Sequence, residues 1–487
     1  FYDAIAKQTT NRPVEALHDM QKAIELNDNR AVYRSKLLLD SDLAARSAAT
    51  ARIYNDLGFR QRGLFEGYNA VNADPTNYSA HRFLADTYAV LPRHEIARVS
   101  ELLQSQLLQP TNITPIQPTL AESSLFLISA QGAAQPSFNE FNPLFARNQA
   151  TLQASGLYGS NETWAGEGIV SGIYSGLSLS AGYAHFETDG WRENADQTDD
   201  IGNIFAQYQF NDKTSLQAEY RGRENERGDI RQRYFQEDYL TEQRNEVTTH
   251  SGRLGLRHAF SPASIVLGNF QYAERDDDFV DVFYFDGAEF GIPPPDIEDI
   301  FENPIEEESY AGELSYLFRS KYIDLVSGAG YVGEDEEVTF TETLEWPGTD
   351  PPTFLDSFSD TLEYETEHYN LYAYTYISPI ENLILTVGAS GDFFDSTEKN
   401  YGDEEVDADQ FNPKLGVKWN PIPSTTLRGA AFRTFTRTLV TDQTLEPTQV
   451  AGFNQFYDDP VSADTWVYGV GLDQKLPRDV YLSLIHI

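Results

Sequence analysis

The sequence has no cysteine and only one methionine among its 487 residues. Without cysteine, a disulfide framework and a thiolate metal site are both excluded. Long apolar runs are missing too: no stretch approaches the roughly 18 apolar residues of a transmembrane helix, and the mean hydropathy is −0.47. A soluble protein and a transmembrane β-barrel both remain possible, because barrel strands carry apolar side chains only at alternate positions.

The motifs of common enzyme and metal sites are also missing. There is no Gly-x-Ser-x-Gly elbow, phosphate loop, dinucleotide fingerprint or Asp-x-Asp-x-Asp-Gly calcium loop, and His94-Glu95 has no second histidine at metalloprotease spacing. We therefore expect a protein that is not an enzyme, with no catalytic, cofactor-binding or metal residue and no cofactor.

Aromatic residues and acidic charge are abundant instead. The chain holds 28 Tyr, 30 Phe and 33 Gly, a composition typical of barrels, whose aromatic girdles use Tyr and Phe. Residues 1–110 contain 13 basic and 13 acidic side chains, so the net charge of −41 falls entirely in residues 111–487. Such an acidic field repels nucleic acid, which we exclude as a partner.

Residues 1–109 are predicted to form amphipathic helices in pairs. Apolar residues follow Pro13 at helical spacing, and Ala51 and Tyr54 recur as Ala85 and Tyr88 after 34 residues. This period resembles the tetratricopeptide repeat (TPR), whose helical hairpins stack into a protein-binding surface. The resemblance implies a periplasmic TPR-like domain that either binds a periplasmic protein or acts as a spacer. Residues 110–146 are rich in proline and are predicted to be a linker.

From residue 147 onward the apolar period changes to two. Leu177, Leu179, Ala181 and Tyr183 alternate with small or polar residues, and similar patterns recur up to 466–472. Tight turns such as 211–213 and 319–321 separate some of these strands. Long acidic and aromatic stretches, at 222–245, 275–308, 333–365, 392–409 and 436–463, separate the others and are predicted to be loops. Short turns at one end and long loops at the other are typical of outer-membrane barrels.

The predicted fold is therefore α-helical TPR-like hairpins (1–109) and a linker (110–146), followed by a transmembrane antiparallel β-barrel (147–487). The spacing predicts about 14 or 15 strands. Charged side chains on the strands cannot face lipid cheaply and are predicted to face the lumen. They are Glu219, Arg221, Arg223, Arg253, Arg257, Lys414, Lys418 and Arg428. They indicate either selectivity for an anionic solute or ordinary lumen polarity.

Two acidic stretches have no basic residue at all. Residues 276–308 contain 13 acids and residues 334–367 contain 12. They are interpreted as solvated surface, with loose binding of divalent cations or capture of a cationic or carbohydrate ligand as alternatives.

Several strand motifs carry a resemblance to the barrel of TonB-dependent receptors. They are 411–421 (FNPKLGVKWNP), 425–435 (TTLRGAAFRTF), 188–194 (TDGWREN), 445–447 (LEP) and 468–472 (YGVGL). The family places a plug of mixed α/β structure before its first strand. Here the helical repeat and the linker stand in that place, and no plug domain is visible in the sequence.

The resemblance implies an outer-membrane transport protein surrounded by lipid, whose TPR-like segment recruits a periplasmic partner and whose solute or polymer is unknown. One alternative is an export porin for a polysaccharide or other exopolymer, since such porins also set periplasmic TPR repeats before a barrel. Another is a non-transporting surface scaffold or adhesin. We interpret the chain as a fragment, with a barrel truncated at its C-terminus, because it starts at Phe1 and residues 483–487 lack the terminal aromatic of such barrels.

Overall fold

A computed structural model of the chain describes residues 1–111, 116–122, 125, 147–235, 238–287, 295–349, 351–400, 404–477 and 480–487. Most of the predicted linker lies outside the described residues. Within the described part, no helix has both the length and the apolar character needed to cross a membrane.

Six α-helices occupy the described part of the chain before residue 111. They are α1 (Tyr2–Thr9), α2 (Pro13–Glu25), α3 (Lys36–Asp56), α4 (Arg60–Ala73), α5 (Tyr78–Tyr88) and α6 (Glu95–Leu108). Pro13 stands at the start of α2, and the Asn77 side chain caps α5 by accepting from the backbone N–H groups of Ser79 and Ala80. Helix α3 packs on α4 and α5 on α6, so the predicted helical pairs are present. Their assignment as TPR repeats stays a prediction.

Seventeen β-strands follow in the described residues. They are β1 (Gln149–Tyr158), β2 (Trp164–Tyr174), β3 (Leu177–Thr188), β4 (Gln197–Asn211), β5 (Thr214–Arg227), β6 (Arg244–Ser261), β7 (Ser264–Phe285), β8 (Ile297–Arg319), β9 (Ile323–Trp346), β10 (Thr353–Ile380), β11 (Leu383–Glu398), β12 (Glu404–Ile422), β13 (Thr425–Phe435), β14 (Gln449–Val450), β15 (Phe453–Asn454), β16 (Asp464–Leu476) and β17 (Val480–His486). Fifteen of them form one antiparallel sheet in chain order, while β14 and β15 form a separate hairpin. The prediction of a large antiparallel sheet is confirmed.

The two faces of this sheet have opposite character. On β5, Leu216 and Tyr220 are exposed, whereas Ser215 and Gln217 on the other face are buried. The same inversion is found on β8, where Leu314 is exposed and Ser315 is buried. An apolar outer face and a polar inner face suit a barrel in lipid with polar contents.

Beyond the apolar band, the outer face of β7–β10 becomes aromatic and then acidic. Tyr272 pairs across the strands with Tyr310, and Tyr331 pairs with Tyr369. Further along the strands, two residues from Tyr272 and Tyr310 and four residues from Tyr331 and Tyr369, exposed acids begin to stand side by side. They form two rows of four, which are Glu274, Glu308, Asp335, Glu365 and Asp276, Glu306, Glu337, Glu363. Because tyrosines mark the membrane–water interface, the acid rows lie just outside the lipid.

Most of the stretches predicted as long loops are extensions of strands. β7 and β8 remain paired as far as Phe285 and Ile297, and β9 and β10 as far as Trp346 and Thr353. The prediction was wrong because both faces of a strand are wet outside the bilayer, where the apolar alternation that reveals a strand disappears. Residues 436–463 do form a long connection, which contains only one 3-10 turn and the short β14–β15 hairpin.

The helical segment does not stand apart from the barrel. The sheet curls around it: an inner-face side chain of β5 bonds to α6, and inner-face side chains of β8 and β12 bond to Ala73 and Asn69 of α4. The sequence predicted a separate periplasmic domain because a helical period says nothing about what covers the helix. Every residue of α6 from Ile96 to Leu108 is buried.

Candidate transport lumen

The lumen is filled from the end of the barrel that has the short turns. There the Arg319 guanidinium of β8 lies 2.8 Å from the Asp74 carboxylate and donates to the Ala73 carbonyl at the end of α4. Nearby, Lys418 of β12 donates to the Asn69 side chain, and the Arg428 guanidinium of β13 stacks on the Phe65 ring. These contacts hold α4 inside the sheet, and α5 packs on α4 and on α6. We call α4, α5 and α6 the plug helices.

Helix α6 is fastened to the wall at its C-terminus. The last carbonyl groups of a helix have no partner within the helix. Here the Gln217 side chain donates to the Gln106 carbonyl at 2.5 Å, and the Gln207 side chain donates to the Gln109 carbonyl at 3.0 Å. Arg253 donates to the Gln106 side chain at 2.9 Å. Barrel side chains therefore complete the hydrogen bonding of this helix end.

An apolar cluster joins the same helix end to the wall. Leu103 and Leu107 of α6 pack in one buried cluster with Ile265, Leu267 and Leu317 of β7 and β8. Gly255 of β6 leaves room for the helix, because a Cβ at this position would lie 2.5 Å from Leu107 Cδ2. The C-terminal half of α6 is thus fixed by both polar and apolar contacts.

Residues 436–463, the inward loop, enter the lumen from the opposite end. Its Leu445 backbone N–H donates to the Glu313 carboxylate of β8 at 2.8 Å. Its Asp458 carboxylate accepts from the backbone N–H groups of Glu95 and Ile96, at 3.0 and 3.1 Å, and so caps the N-terminus of α6. The inward loop and the barrel wall therefore hold the two ends of one helix.

A buried charged network joins the inward loop to the plug helices and the wall. Thr448 donates to Glu101 of α6, whose other oxygen lies 2.5 Å from His81 Nδ1. Arg437 lies 2.5 Å from the Glu446 carboxylate, which also accepts from the Tyr374 hydroxyl. Burying a charge costs free energy unless the charge is paired, and here Glu101 is paired with His81 and Glu446 with Arg437.

Between the plug helices and the wall lies a cavity of about 670 Å³. Its walls include Glu95 and Gln106 of α6, the arginines of β5, the acids Glu307, Glu334 and Glu336, and part of the inward loop. Residues 116–122, the strap, complete it. The volume is within the usual range for small-molecule sites.

The eight charged residues predicted to face the lumen all lie on the inner face. Glu219 pairs with Arg253 at 2.7 Å, and Arg428 pairs with Asp473 at 3.2 Å. Lys414 donates to the Arg433 carbonyl at 2.6 Å, and Lys418 reaches Asn69. Arg221 and Arg223 reach Glu122, while Arg257, four residues beyond Arg253 on β6, is partly buried.

Three important side chains carried no signal in the sequence. Glu122 lies in a proline-rich stretch, Asp458 in an acidic loop and His81 in a segment predicted to be helical. Their partners stand 99, 363 and 20 residues away. Within the described residues, no group of three or more His, Asp or Glu has the geometry of a metal site.

Comparison with known proteins gives the fold a family context. The family described as "TonB dependent receptor-like, beta-barrel" matches residues 189–484, which is more than half of the chain. No curated protein sequence matches the chain.

Solved structures share the fold at low identity. The siderophore receptor PiuA from Acinetobacter baumannii has 11% identity and a TM-score of 0.52, over 69% of this chain and 56% of its own. The copper transporter OprC has 13% identity and a TM-score of 0.51, over 68% and 52%. FpvAI in complex with pyocin S2 has 13% identity and a TM-score of 0.50, over 69% and 48%. The chain spans about half the length of these structures.

Proposed function

Because the chain belongs to the TonB-dependent receptor-like β-barrel family, we propose that it transports a solute across the outer membrane through the lumen that the plug helices fill. Its helical segment acts as the plug, and the outer surface of that segment recruits a periplasmic protein. Residues 1–109 would then form the plug and recruit the partner, and residues 147–487 would form the barrel wall of the same transporter.

The observation that carries this proposal is the way α6 is held. Its C-terminal half is fixed to the wall by Leu103, Leu107 and three barrel side chains. Its N-terminal half borders the cavity, is capped by a loop from the other end of the barrel and bonds through Arg98 to residues 120 and 121. If the inward loop releases the N-terminus of α6, this end of the helix can move away from the wall and open a path while its C-terminal half stays fixed in the barrel.

Exposed apolar side chains support the recruitment of a partner. Val14 of α2 is 67% exposed, and Val32 and Tyr33, just before α3, are 93% and 73% exposed. This region lies next to the short turns, because Gln21 of α2 bonds to Tyr481 of β17 and Asp40 of α3 lies 3.4 Å from Arg319 at the end of β8. The short turns face the periplasm in outer-membrane barrels. In cells, a photoreactive residue at Tyr33 should form one defined protein adduct, and the same residue at the lipid-facing Tyr158 should not. Equal adducts at both positions would contradict recruitment.

The transport proposal can be tested without knowing the solute, because the chain has no cysteine of its own. The double variant Leu107→Cys/Gly255→Cys places cysteines at two positions that face one another, because a Cβ at position 255 would lie 2.5 Å from Leu107 Cδ2; formation of the disulfide is checked first by thiol titration. We expect the unsubstituted protein in a planar bilayer to conduct little, and to open when moderate urea loosens the plug helices. The oxidised variant should stay closed in the same urea, and its reduced form should open.

The reduced and oxidised forms are one protein, so they control for any effect of the substitutions on folding. Opening of the oxidised form at the same urea concentration would contradict the idea that α6 blocks the path. A high conductance without urea would instead favour an open export pore.

A further inference from the structure

The strap, residues 116–122, crosses the lumen between α6 and the barrel wall. The Thr119 hydroxyl donates to Glu167 of β2 at 3.0 Å, and the Ile116 N–H donates to the Ser180 hydroxyl at 3.4 Å. From the other side, Arg98 of α6 donates to the Leu120 carbonyl at 2.8 Å and to the Ala121 carbonyl. The strap therefore contacts both the wall and the N-terminal half of α6.

The strap carries a carboxylate, that of Glu122, which bridges two arginines. Glu122 Oε1 lies 2.5 Å from Arg221 Nη2, and Glu122 Oε2 lies 2.7 Å from Arg223 Nη1. The two arginines stand two residues apart on β5, so both point into the lumen. Planar guanidinium groups are well suited to binding carboxylate and phosphate oxygens. One carboxylate thus occupies a pair of arginines that borders the cavity.

A second acid near this pair is built into the wall and cannot leave it. Asp199 of β4 lies 2.7 Å from Arg223 Nε, is fully buried and also accepts from Asn225 of the neighbouring strand. With Glu122 present, two acids balance two arginines. Without Glu122, Asp199 is left as the acid bonded to Arg223, and an anionic group of a solute could take the place of the Glu122 carboxylate.

We propose that Arg221 and Arg223 form a binding site for a carboxylate or phosphate group of the transported solute, and that Glu122 occupies this site until the solute displaces it. This inference rests on the proposed transport function and names the solute class as anionic. Displacement would release Glu122 from the wall and let the strap move. Because Arg98 bonds to the strap, this movement would shift the N-terminal half of α6.

The ionisation of Glu122 fits this role. Burial by itself raises the pKa of the Glu122 carboxyl, but the charges of Arg221 and Arg223 outweigh burial and hold the pKa below its usual value. The strap therefore presents a carboxylate anion at neutral pH, and an incoming anion has to compete with it. The apparent affinity for a solute is then the intrinsic affinity multiplied by the fraction of molecules in which Glu122 has left the two arginines.

Isothermal titration of the full chain in detergent, at low salt, tests the site with malonate and with inorganic phosphate in separate experiments. We expect Glu122→Gln to bind at least one of these probes about tenfold more tightly than the unsubstituted protein, because the competing charge is gone. The matched control is Glu224→Gln, which removes an acid from the outer face of the same strand and should leave the affinity unchanged. The probe that binds more tightly tells a carboxylate solute from a phosphate one.

Further variants test whether the arginines themselves bind the probe. Adding Arg221→Gln and Arg223→Gln to Glu122→Gln should abolish the gain, and the paired lysine substitutions should keep only part of it. Far-UV circular dichroism establishes that each variant has its β-sheet. If the arginine variants do not fold, the comparison of Glu122→Gln with Glu224→Gln decides alone.

Two results would overturn the anion site. One is that neither probe binds Glu122→Gln more tightly than it binds Glu224→Gln. The other is that the folded arginine variants keep the gain. The bilayer experiment is independent of both results. If Glu122→Gln binds a probe more tightly but the protein never opens in urea, the anion site is supported and transport is contradicted. If the protein opens in urea but Glu122→Gln does not bind more tightly, transport is supported and the anion site is contradicted.

Discussion

At the scale of single residues, His81 shows how a buried site fixes its own protonation. Its Nδ1 lies 2.5 Å from a Glu101 oxygen, and its Nε2 lies 2.9 Å from the Pro75 carbonyl oxygen. Only a ring protonated on both nitrogens can donate to both acceptors. Burial alone lowers the pKa of His81, but the Glu101 charge and the two hydrogen bonds outweigh burial and raise it.

Because the pKa of His81 is raised in the folded state, its contribution to the stability of the fold decreases as the pH rises. The contribution of His81 is fully present below its unfolded pKa of about 6.5, and it is lost as the pH rises through the higher folded value. Hydrogen exchange in α5 and α6, corrected for the intrinsic rate, should therefore speed up across that window. In His81→Gln it should be faster at low pH and independent of pH, while His18→Gln should behave as the unsubstituted protein. A pH dependence that survives in His81→Gln would contradict this assignment.

Asp458 gives a second prediction, because it caps α6 from the inward loop. Asp458→Ala should destabilise the first turn of α6 by about 1 kcal/mol, while Asp458→Asn keeps an acceptor oxygen and should cost less. Exchange protection of the amides at the start of α6 measures both. If alanine and asparagine have equal effects, the cap is not the source of the stabilisation.

The sequence predicted which residues face the lumen but not what they contact. Alternation along β5 and β12–β13 placed Arg221, Lys414 and Arg428 on the inner face. The same alternation carries no information about Glu122 or Asp458, because neither lies in a periodic segment and their partners are 99 and 363 residues away. Periodicity reports which face a residue is on, and contacts across the fold set its role.

At the scale of elements, the two acid rows on β7–β10 are the least expected feature. Glu337 stands between Glu306 and Glu363, with like charges directly opposite one another on both sides. Directly opposed like charges destabilise a strand pair. The strands remain paired there although the charges oppose the pairing.

Glu337→Lys should therefore stabilise the extension of β8–β10, because it replaces two repulsions with two attractions. We expect about 0.2–1 kcal/mol for each cross-strand pair at low salt, in denaturant unfolding followed by tryptophan fluorescence. The gain should largely disappear at about 1 M salt, where screening acts within about 3 Å. The control is Glu342→Lys on the same strand, whose opposite neighbours are Phe301 and Phe358. An equal gain in both variants would point to net charge instead of the rows.

The acid rows also explain why the loops were predicted wrongly. Segments such as 333–346 carry acids on both faces, so they show neither apolar alternation nor a turn motif. Hydrogen bonding to a neighbouring strand keeps them extended, and the pairs Thr339–Thr361 and Thr341–Ser359 add hydroxyl contacts across β9 and β10. In the apolar band, where one face meets lipid, the same strands were predicted correctly.

At the scale of the whole molecule, Arg319 and Asp74 join the plug helices to the wall. Both side chains are at least 96% buried and lie 2.8 Å apart. Arg319→Met leaves Asp74 charged, buried and without this partner, which should cost about 3–5 kcal/mol. The plug helices should then unfold at lower urea than in the unsubstituted protein, as measured by loss of helical circular dichroism. The double variant Arg319→Met/Asp74→Asn should recover most of the loss, and a double variant as unstable as the single one would contradict the pairing.

The way α6 is capped has a consequence for assembly. Its C-terminal carbonyls bond to side chains of β4 and β5, and its N-terminus bonds to a loop that lies between β13 and β16. In chain order the helices come first, and Asp458, which caps the N-terminus of α6, follows thirteen strands of the large sheet. The two ends of α6 therefore depend on early and late parts of the chain, so any product that stops before Asp458 carries α6 with an uncapped N-terminus.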